Sequence, residues 1–246
     1  MTADILSLRR LWQEAFGDSD ETLDAFFARG FSQDRFLCIQ ENGIPVSALY
    51  WFDCELDGQK LAYIYAVATL KSHRGQGLAH RLMAQVHTHL KEQGYAGALL
   101  VPGSADLFGF YEKMGYRTAT TVTEFTCTWA DRSVPVLELT SAEYVRLRRA
   151  FLPRGGVLQE GATISYLQGQ MHFYAGKDFL LCATAQDDTL LVQELLGDPR
   201  STPHILRALG APKGTFRTVG ADKAFSMFLP FREDCPTPAY FGLAMD

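Results

Sequence analysis

Two hydrophobic periods alternate along this chain. Leu8, Leu11, Trp12, Ala15 and Phe16 recur at helical spacing from Leu6 and stop at Gly17-Asp18; a second helix, capped by Ser19 or Asp20, runs through Leu23, Phe26 and Phe27. The period then shortens to that of a strand. Phe36 to Gln40, the turn Glu41-Asn42-Gly43 and Ile44 to Phe52 read as a hairpin, because Asn-Gly favours the turn whose twist matches two strands. Asp57-Gly58 marks a second hairpin, into a strand that ends at Thr69 and is rich in aromatic and β-branched residues (Tyr63, Ile64, Tyr65, Val67). Leu78, Leu82, Val86 and Leu90 return to helical spacing until Gly94. Ala98 to Val101 reads as a strand, Ala105 to Met114 as a helix with Ser104 or Asp106 as its cap, and Tyr116 to Trp129 as one or two strands.

Asp131-Arg132-Ser133-Val134-Pro135 reads as a linker, after which the pattern resumes. The pattern predicts helices from Thr140 to Phe151 and from Thr163 to Tyr174. A hairpin is expected from Phe179 to Leu196, then a helix through Leu206 and Leu209 with Asp198 as cap and Pro199 in its first turn. The order of elements is that of the first half. At 246 residues the chain is expected to form one large or two modest domains.

Chemistry concentrates where the strand ending at Thr69 gives way to the helix. Between them lies a short basic loop, Arg74-Gly75-Gln76-Gly77-Leu78-Ala79. Unpaired amides at a helix N-terminus and the positive end of its dipole make an anion site, and two glycines remove the side-chain obstacle. Arg74 adds a fork of donors suited to phosphate. The loop is not a Walker A loop, since no Gly-Lys-Ser/Thr follows, nor a dinucleotide fingerprint, since the third glycine is missing.

Val67-Ala68-Thr69, the Arg74-x-x-Gly77-x-Ala79 loop and Phe110-Tyr111-Glu112-Lys113-Met114-Gly115-Tyr116 together resemble the acetyl-CoA-binding core of the GNAT N-acetyltransferases, over roughly Leu6 to Ala130. The resemblance implies an α+β, α/β/α sandwich fold, with a mixed, mostly antiparallel sheet flanked by helices. It implies acetyl-CoA as cosubstrate, held by Val67, Ala68, Thr69, Arg74, Gly75, Gln76, Gly77, Leu78 and Ala79. The strands carrying Val67 and Ala98 would splay, so that the pantetheine arm pairs with free backbone groups. Where many members have an Asn, this chain has Ser104, which leaves that side-chain contact to the cofactor open. Tyr111 corresponds to the tyrosine that protonates the leaving thiolate, although its apolar helical spacing is equally that of a core aromatic. The Val67 amide is the expected donor to the thioester carbonyl.

The second half then reads as a degenerate GNAT-like repeat, giving domains 1–131 (catalytic) and 136–246 (shaping the acceptor site). At its strand-to-helix junction, Glu194-Leu195-Leu196-Gly197-Asp198-Pro199, an acidic residue stands in place of arginine and a proline deletes an amide, so only the first half is expected to bind acetyl-CoA. The arrangement is similar to tandem-GNAT acetyltransferases and, more weakly, to the Eis type, whose members are longer, with a third domain, so that their substrate is not carried over.

Composition adds bounds. Apolar residues make up 47% and charged ones 21%, ordinary for a soluble globular protein, and the net charge of −5 argues against a nucleic-acid partner. Cys38, Cys54, Cys127, Cys182 and Cys235 are scattered without a C-x-x-C pair, as expected of reduced thiols in a cytoplasmic protein. There is no signal-peptide pattern and no apolar run near the roughly 20 residues that cross a bilayer, so no membrane partner is expected. His80 and His87 lie two turns apart, about 10 Å, too far to share a metal ion, and the helix face that carries them reads as solvated.

A carboxylate base is missing from Tyr63-Ile64-Tyr65-Ala66, which leaves Asp53 or Glu55 acting through water, the C-terminal carboxylate of Asp246, or no protein base. For the tail from Tyr240 the alternative is a last strand of the second sheet. The expected function is transfer of an acetyl group from acetyl-CoA to a primary amine of a small molecule or peptide, with a non-catalytic acetyl-CoA sensor or scaffold as the alternative.

Overall fold

A computed structural model describes residues 4–245. The chain is of the α+β class, with two mixed, mostly antiparallel sheets flanked by helices. It divides into two compact units: residues 1–117 with 227–235, and 118–226 with 236–246. These bounds differ from 1–131 and 136–246 because the two halves exchange strands.

The first unit opens with helices α1 (Ile5–Phe16) and α2 (Asp20–Ala25), capped by the Asp4 and Ser19 side chains; a π-helical turn, Phe26–Gly30, follows α2. Strands β1 (Phe36–Glu41), β2 (Ile44–Leu56) and β3 (Gln59–Thr69) come next. Asn42-Gly43 and Asp57-Gly58 turn both hairpins with positive φ at all four residues, which is why Asn, Asp and Gly stand there. Helix α3 (Leu78–Glu92), β4 (Gly97–Leu100), α4 (Asp106–Glu112) and the short β5 (Arg117–Thr118) complete the run. Helix α4 is shorter than its pattern predicts, and Ala105 stands at its N-cap with no side-chain bond, so neither Ser104 nor Asp106 caps it.

The second unit takes β6 (Thr121–Thr128), β7 (Leu137–Leu139), α5 (Ser141–Phe151), β8 (Leu158–Gln159), α6 (Ala162–Gln168) and β9 (His172–Ala175). It continues with β10 (Phe179–Gln186), β11 (Thr189–Gly197), α7 (Thr202–Leu209), β12 (Lys213–Val219) and β13 (Lys223–Ala224). Thr140 and Glu143 form a capping box at α5. The helix expected from Thr163 to Tyr174 is split, with its C-terminal part in β9.

Strand β14 (Met227–Pro230) leaves this half and pairs antiparallel with β4, extending the first sheet in the order β1-β2-β3-β4-β14. Phe228 packs where Gly97 has no side chain; a Cβ there would lie 2.6 Å from its ring. Conversely, β6 pairs with β12, and the second sheet runs β13-β6-β12-β11-β10-β9-β7.

In the first unit the sheet has a core on each face. Leu8 and Leu11 of α1 pack on Ala48 and Ala68. On the other face Leu82, Val86 and Leu90 of α3 pack with Leu49, Ile64, Tyr111 and Tyr116. Full burial of each such aliphatic side chain contributes about 1.5–3 kcal/mol.

The core of the second unit contains a charge pair. Glu194, expected at a strand-to-helix junction, is buried inside β11 and receives two bonds from the equally buried Arg148 (Nε to Oε2 2.7 Å, Nη2 to Oε1 2.9 Å), with the Tyr144 hydroxyl donating a third. Burial alone would lower the Arg148 pKa, but the Glu194 carboxylate more than offsets it. The tail from Tyr240 to Ala244 is buried without forming a strand beyond one bridge to Gly156; Gln159 Nε2 donates to the Leu243 carbonyl at 2.7 Å. Asp246 lies outside the described residues. All five cysteines are free thiols, and among the described residues no helix is long and apolar enough to cross a membrane.

Candidate active site

Strands β3 and β4 run parallel and pair only at Leu61 with Gly97, Ala62 with Ala98 and Tyr63 with Leu99. Strand β3 continues for six further residues without β4 beside it. Within that stretch the pairing with β2 slips: Tyr50 faces Tyr65, but Ala48 faces Ala68. The extra residue is a bulge, with Ala66 at φ 48°. A bulge leaves a residue out of the ladder and re-aims the backbone, and here it does so where the neighbouring strand has already left.

Past the bulge the strand is tightly held. Val67 is half-buried and packs towards α3, whereas Ala68 is buried on the α1 face. The Ser47 hydroxyl, itself buried, donates to the Ala68 carbonyl at 2.9 Å and pairs with the Thr69 hydroxyl at 2.9 Å. Chain direction then changes in a 3₁₀ turn, Lys71–His73. Glu14 of α1 accepts from the Lys71 amide at 2.6 Å, and Glu41 lies 3.3 Å from His73 Nε2. Arg74 Nε donates to the Thr69 carbonyl at 3.2 Å.

The loop beyond this turn is open. Gly75 and Gly77 have φ of 79° and 72°, the left-handed region that favours glycine, and a Cβ on either would meet nothing within 4 Å. Arg74, Gly75, Gln76 and Gly77 are exposed, Ala79 is half-buried and Leu78 is buried, fixing the start of α3 to the core. Gly77 is the N-cap of α3 and no side chain caps the helix, so its first-turn amides are offered to an anion.

Tyr111 is 7% exposed, its ring in the core with Leu49 and Tyr116, and its hydroxyl makes no hydrogen bond among the described residues. Burial pushes the phenol up to about 12. Ser104 is exposed and contributes its carbonyl to the Leu107 amide at 3.1 Å.

Two expectations on nearby groups are corrected. His87 is not on a solvated face: it is half-buried and 2.9 Å from the Tyr116 hydroxyl, and burial lowers its pKa to about 4. Asp53 pairs opposite Ala62 and Glu55 opposite Lys60, so along β3 they lie about 16 Å and 23 Å before Val67 at ~3.3 Å per residue. Asp53 is moreover engaged by the Tyr95 hydroxyl, Arg35 and Lys60. Sequence reasoning missed the bulge at Ala66 and the tethers Glu14 and Ser47. The local signal for Ser47 was a hydroxyl in an otherwise apolar strand.

Residues 2–119 match the acetyltransferase (GNAT) domain family. Among solved structures, a GCN5-related N-acetyltransferase from Kribbella flavida shares 19% identity, with a TM-score of 0.70 over 91% of this chain and 68% of that one. One from Anabaena variabilis gives 17%, 0.71, 93% and 70%. Eis1 from Mycobacterium abscessus gives 12%, 0.66, 94% and 72%. At these identities the likeness concerns the fold. No curated protein matches the chain. The residues matched by the family are those that build the parted strands, the open loop and the uncapped helix, so this stretch of the chain carries a GNAT acetyltransferase domain.

Proposed function

We propose that the protein is an acetyl-CoA-dependent N-acetyltransferase acting on a primary amine of a small molecule or peptide. One observation carries this reading: β3 parts from β4 after Tyr63 and leads, behind two left-handed glycines, to a helix N-terminus with no side-chain cap. A diphosphate fits the α3 amides, with Arg74, Gly75, Gln76, Gly77, Leu78 and Ala79 around it. The amide-rich pantetheine arm fits the unaccompanied edge of Val67, Ala68 and Thr69, because buried backbone groups need partners. Ser104, after β4, is the remaining contact assigned to the cosubstrate.

In this reading the amine attacks the thioester carbonyl carbon while the Val67 amide, at the bulge, hydrogen-bonds the carbonyl oxygen as charge develops on it. The C–S bond breaks, Tyr111 gives its proton to the departing sulfur, and the proton lost by the new amide nitrogen returns to the Tyr111 phenolate through solvent. With its pKa raised to about 12, the Tyr111 hydroxyl is protonated throughout the neutral range and has no competing partner among the described residues.

Calorimetry with acetyl-CoA and thiol release with a panel of amines test the assignment. Tyr111→Phe is expected to lower kcat about 100-fold, in the range for loss of a general acid, with acetyl-CoA affinity unchanged. Absence of heat with acetyl-CoA would overturn the reading. Binding without thiol release from any amine would favour a sensor or scaffold.

A further inference from the structure

Helix α4 ends just past Tyr111, and the chain turns back at once. The Tyr111 carbonyl accepts from the Met114 amide at 2.9 Å and from the Tyr116 amide at 3.3 Å, and Gly115, at φ 94°, supplies the left-handed residue that this turn needs. A second phenol is thereby folded against the first: the Tyr116 ring stands edge-on to the Tyr111 ring, with centroids 6.0 Å apart and planes at 69°. Phe110 meets Tyr111 in a similar way at 5.1 Å. The turn and these rings are what hold Tyr111, whose hydroxyl makes no hydrogen bond among the described residues.

Tyr116 has the tether that Tyr111 lacks. It is fully buried in the core that α3 shares with the sheet, where a phenol oxygen without a partner would cost free energy. The partner is His87 of α3, whose Nε2 lies 2.9 Å from the hydroxyl. His87 is packed in turn: its ring is 5.7 Å from that of Phe231, over which Lys91, one turn further along α3, places its ammonium at 5.3 Å. Burial first, then Lys91 and His80 on the same helix, bring the His87 pKa down to about 4, and burial pushes Tyr116 up. Both partners are therefore neutral between about pH 5 and 9, and the bond does not depend on pH there.

Helix α3 carries two fixed points of the proposed reaction. Its N-terminus offers the open amides assigned to the diphosphate, and His87 stands about 15 Å further along the axis, at ~1.5 Å per residue from Gly77. We propose that His87 and Tyr116 are positioning residues of the acetyl transfer, clamping the Tyr111 phenol to the helix that grips the coenzyme. The inference rests on the transferase reading and adds to it how the acid is aimed. One rigid helix then sets both the place of the thioester and the direction of the Tyr111 proton, so the departing sulfur and its acid need no separate alignment.

The test is a double-mutant cycle on the full chain. It is read by thiol release at saturating acetyl-CoA with 2-phenylethylamine, hexylamine and spermidine as acceptors, and by calorimetry with acetyl-CoA. Tyr116→Phe keeps the ring and removes the bond, and His87→Ala removes the partner; each should lower kcat about tenfold, within the range for a displaced catalytic group, and leave acetyl-CoA affinity unchanged. His87→Gln presents an amide nitrogen where Nε2 stood and should recover most of kcat, with a pH profile parallel to that of the wild-type chain. In Tyr111→Phe, adding His87→Ala should lower kcat no further, because the group that His87 acts through is already gone. Multiplied losses in that pair overturn the proposal. So do an unchanged kcat in both single variants, a His87→Gln chain no better than His87→Ala, or a loss of kcat that merely follows a fall in the thermal midpoint. If none of the three amines is acetylated, NMR of isotope-labelled tyrosine with acetyl-CoA bound decides instead. The Tyr111 signal should broaden in Tyr116→Phe and His87→Ala and stay sharp in His87→Gln; a signal unchanged throughout overturns the clamp. These failures leave the transferase reading standing, whereas full turnover in Tyr111→Phe, or no heat with acetyl-CoA on the wild-type chain, removes that reading and the clamp with it.

Discussion

In the first unit the parallel pairing of β3 with β4 stops at Tyr63, before the bulge at Ala66, whereas in the second the corresponding pair, β11 and β12, stays together past its own bulge to Leu195 opposite Thr218. Both units carry the same device, a slip between two antiparallel strands, at Ala66 in one and between Val192 and Glu194 in the other. Beyond the slip the two junctions part ways. In the first, the adjoining helix has a glycine cap and open amides. In the second, Asp198 accepts from the Arg200 amide at 2.9 Å, and the Thr218 hydroxyl closes onto the Leu195 carbonyl at 2.8 Å. A bulge alone therefore does not make a slot; the neighbouring strand must also leave, and the helix end must be left unsatisfied.

The charge pair in the second core offers the largest break in this comparison. Glu194 stands just past the second bulge and Arg148 reaches it from α5, where the first unit has the uncharged Val67, Ala68 and Thr69 at the end of its strand. Arg148→Met leaves Glu194 buried without its partner and should cost about 3–5 kcal/mol. Arg148→Met with Glu194→Leu removes both charges and should recover most of that loss, since a buried pair is often replaceable by apolar residues. Denaturant unfolding of the single and double variants reads this. Equal losses in both would mean that the pair holds β11 in place rather than merely filling it.

Two glycines sharpen the comparison at smaller cost. Gly197 has φ 107° and a Cβ would lie 2.1 Å from the Asp178 carbonyl oxygen, so Gly197→Ala should lower stability by about 2–3 kcal/mol and leave acetyl-CoA affinity unchanged. Gly77→Ala meets no atom, and its cost is the left-handed backbone, about 1–2 kcal/mol. In the proposed reading it stands where the diphosphate approaches, so acetyl-CoA affinity should fall about tenfold, or ~1.4 kcal/mol. If calorimetry showed Gly197→Ala to be the variant that lost affinity, the assignment of the two junctions would be reversed.

The open loop before α3 was legible in the sequence because its signals are local: glycines needed for positive φ, an arginine, and a helix period starting at Leu78. The hairpins at Asn42-Gly43 and Asp57-Gly58 were legible for the same reason. The exchange of β6 and β14 was not, because alternation fixes which residues of a strand face inward but not which sheet supplies the partner. Glu194 was legible as the acidic residue of a strand-to-helix junction but not as half of a buried pair: its partner Arg148 is 46 residues away, and nothing in either segment names the other. The bulge at Ala66 leaves no mark in composition, and it is what separates Tyr50 and Tyr65 on one face from Val67 on the other.

The smallest expected effect concerns how each junction is braced. In the second unit the 3₁₀ turn Pro199–Ser201 is capped by its own neighbour, Asp198. In the first, the turn Lys71–His73 depends on Glu14, which reaches from α1 to the Lys71 amide across 57 positions of sequence. A charge-assisted bond of 2.6 Å is a good one, but Glu14 is exposed, so water competes for both partners and the bond contributes less than about 1 kcal/mol. Glu14→Ala should therefore weaken acetyl-CoA binding about threefold, or ~0.6 kcal/mol, with little change in the thermal midpoint. Glu14→Gln keeps an acceptor oxygen and should restore most of the affinity. Equal affinity in all three proteins would mean that the loop holds its shape through Ser47, Thr69 and the two glycines without α1, and the distal brace would then be no difference between the units at all.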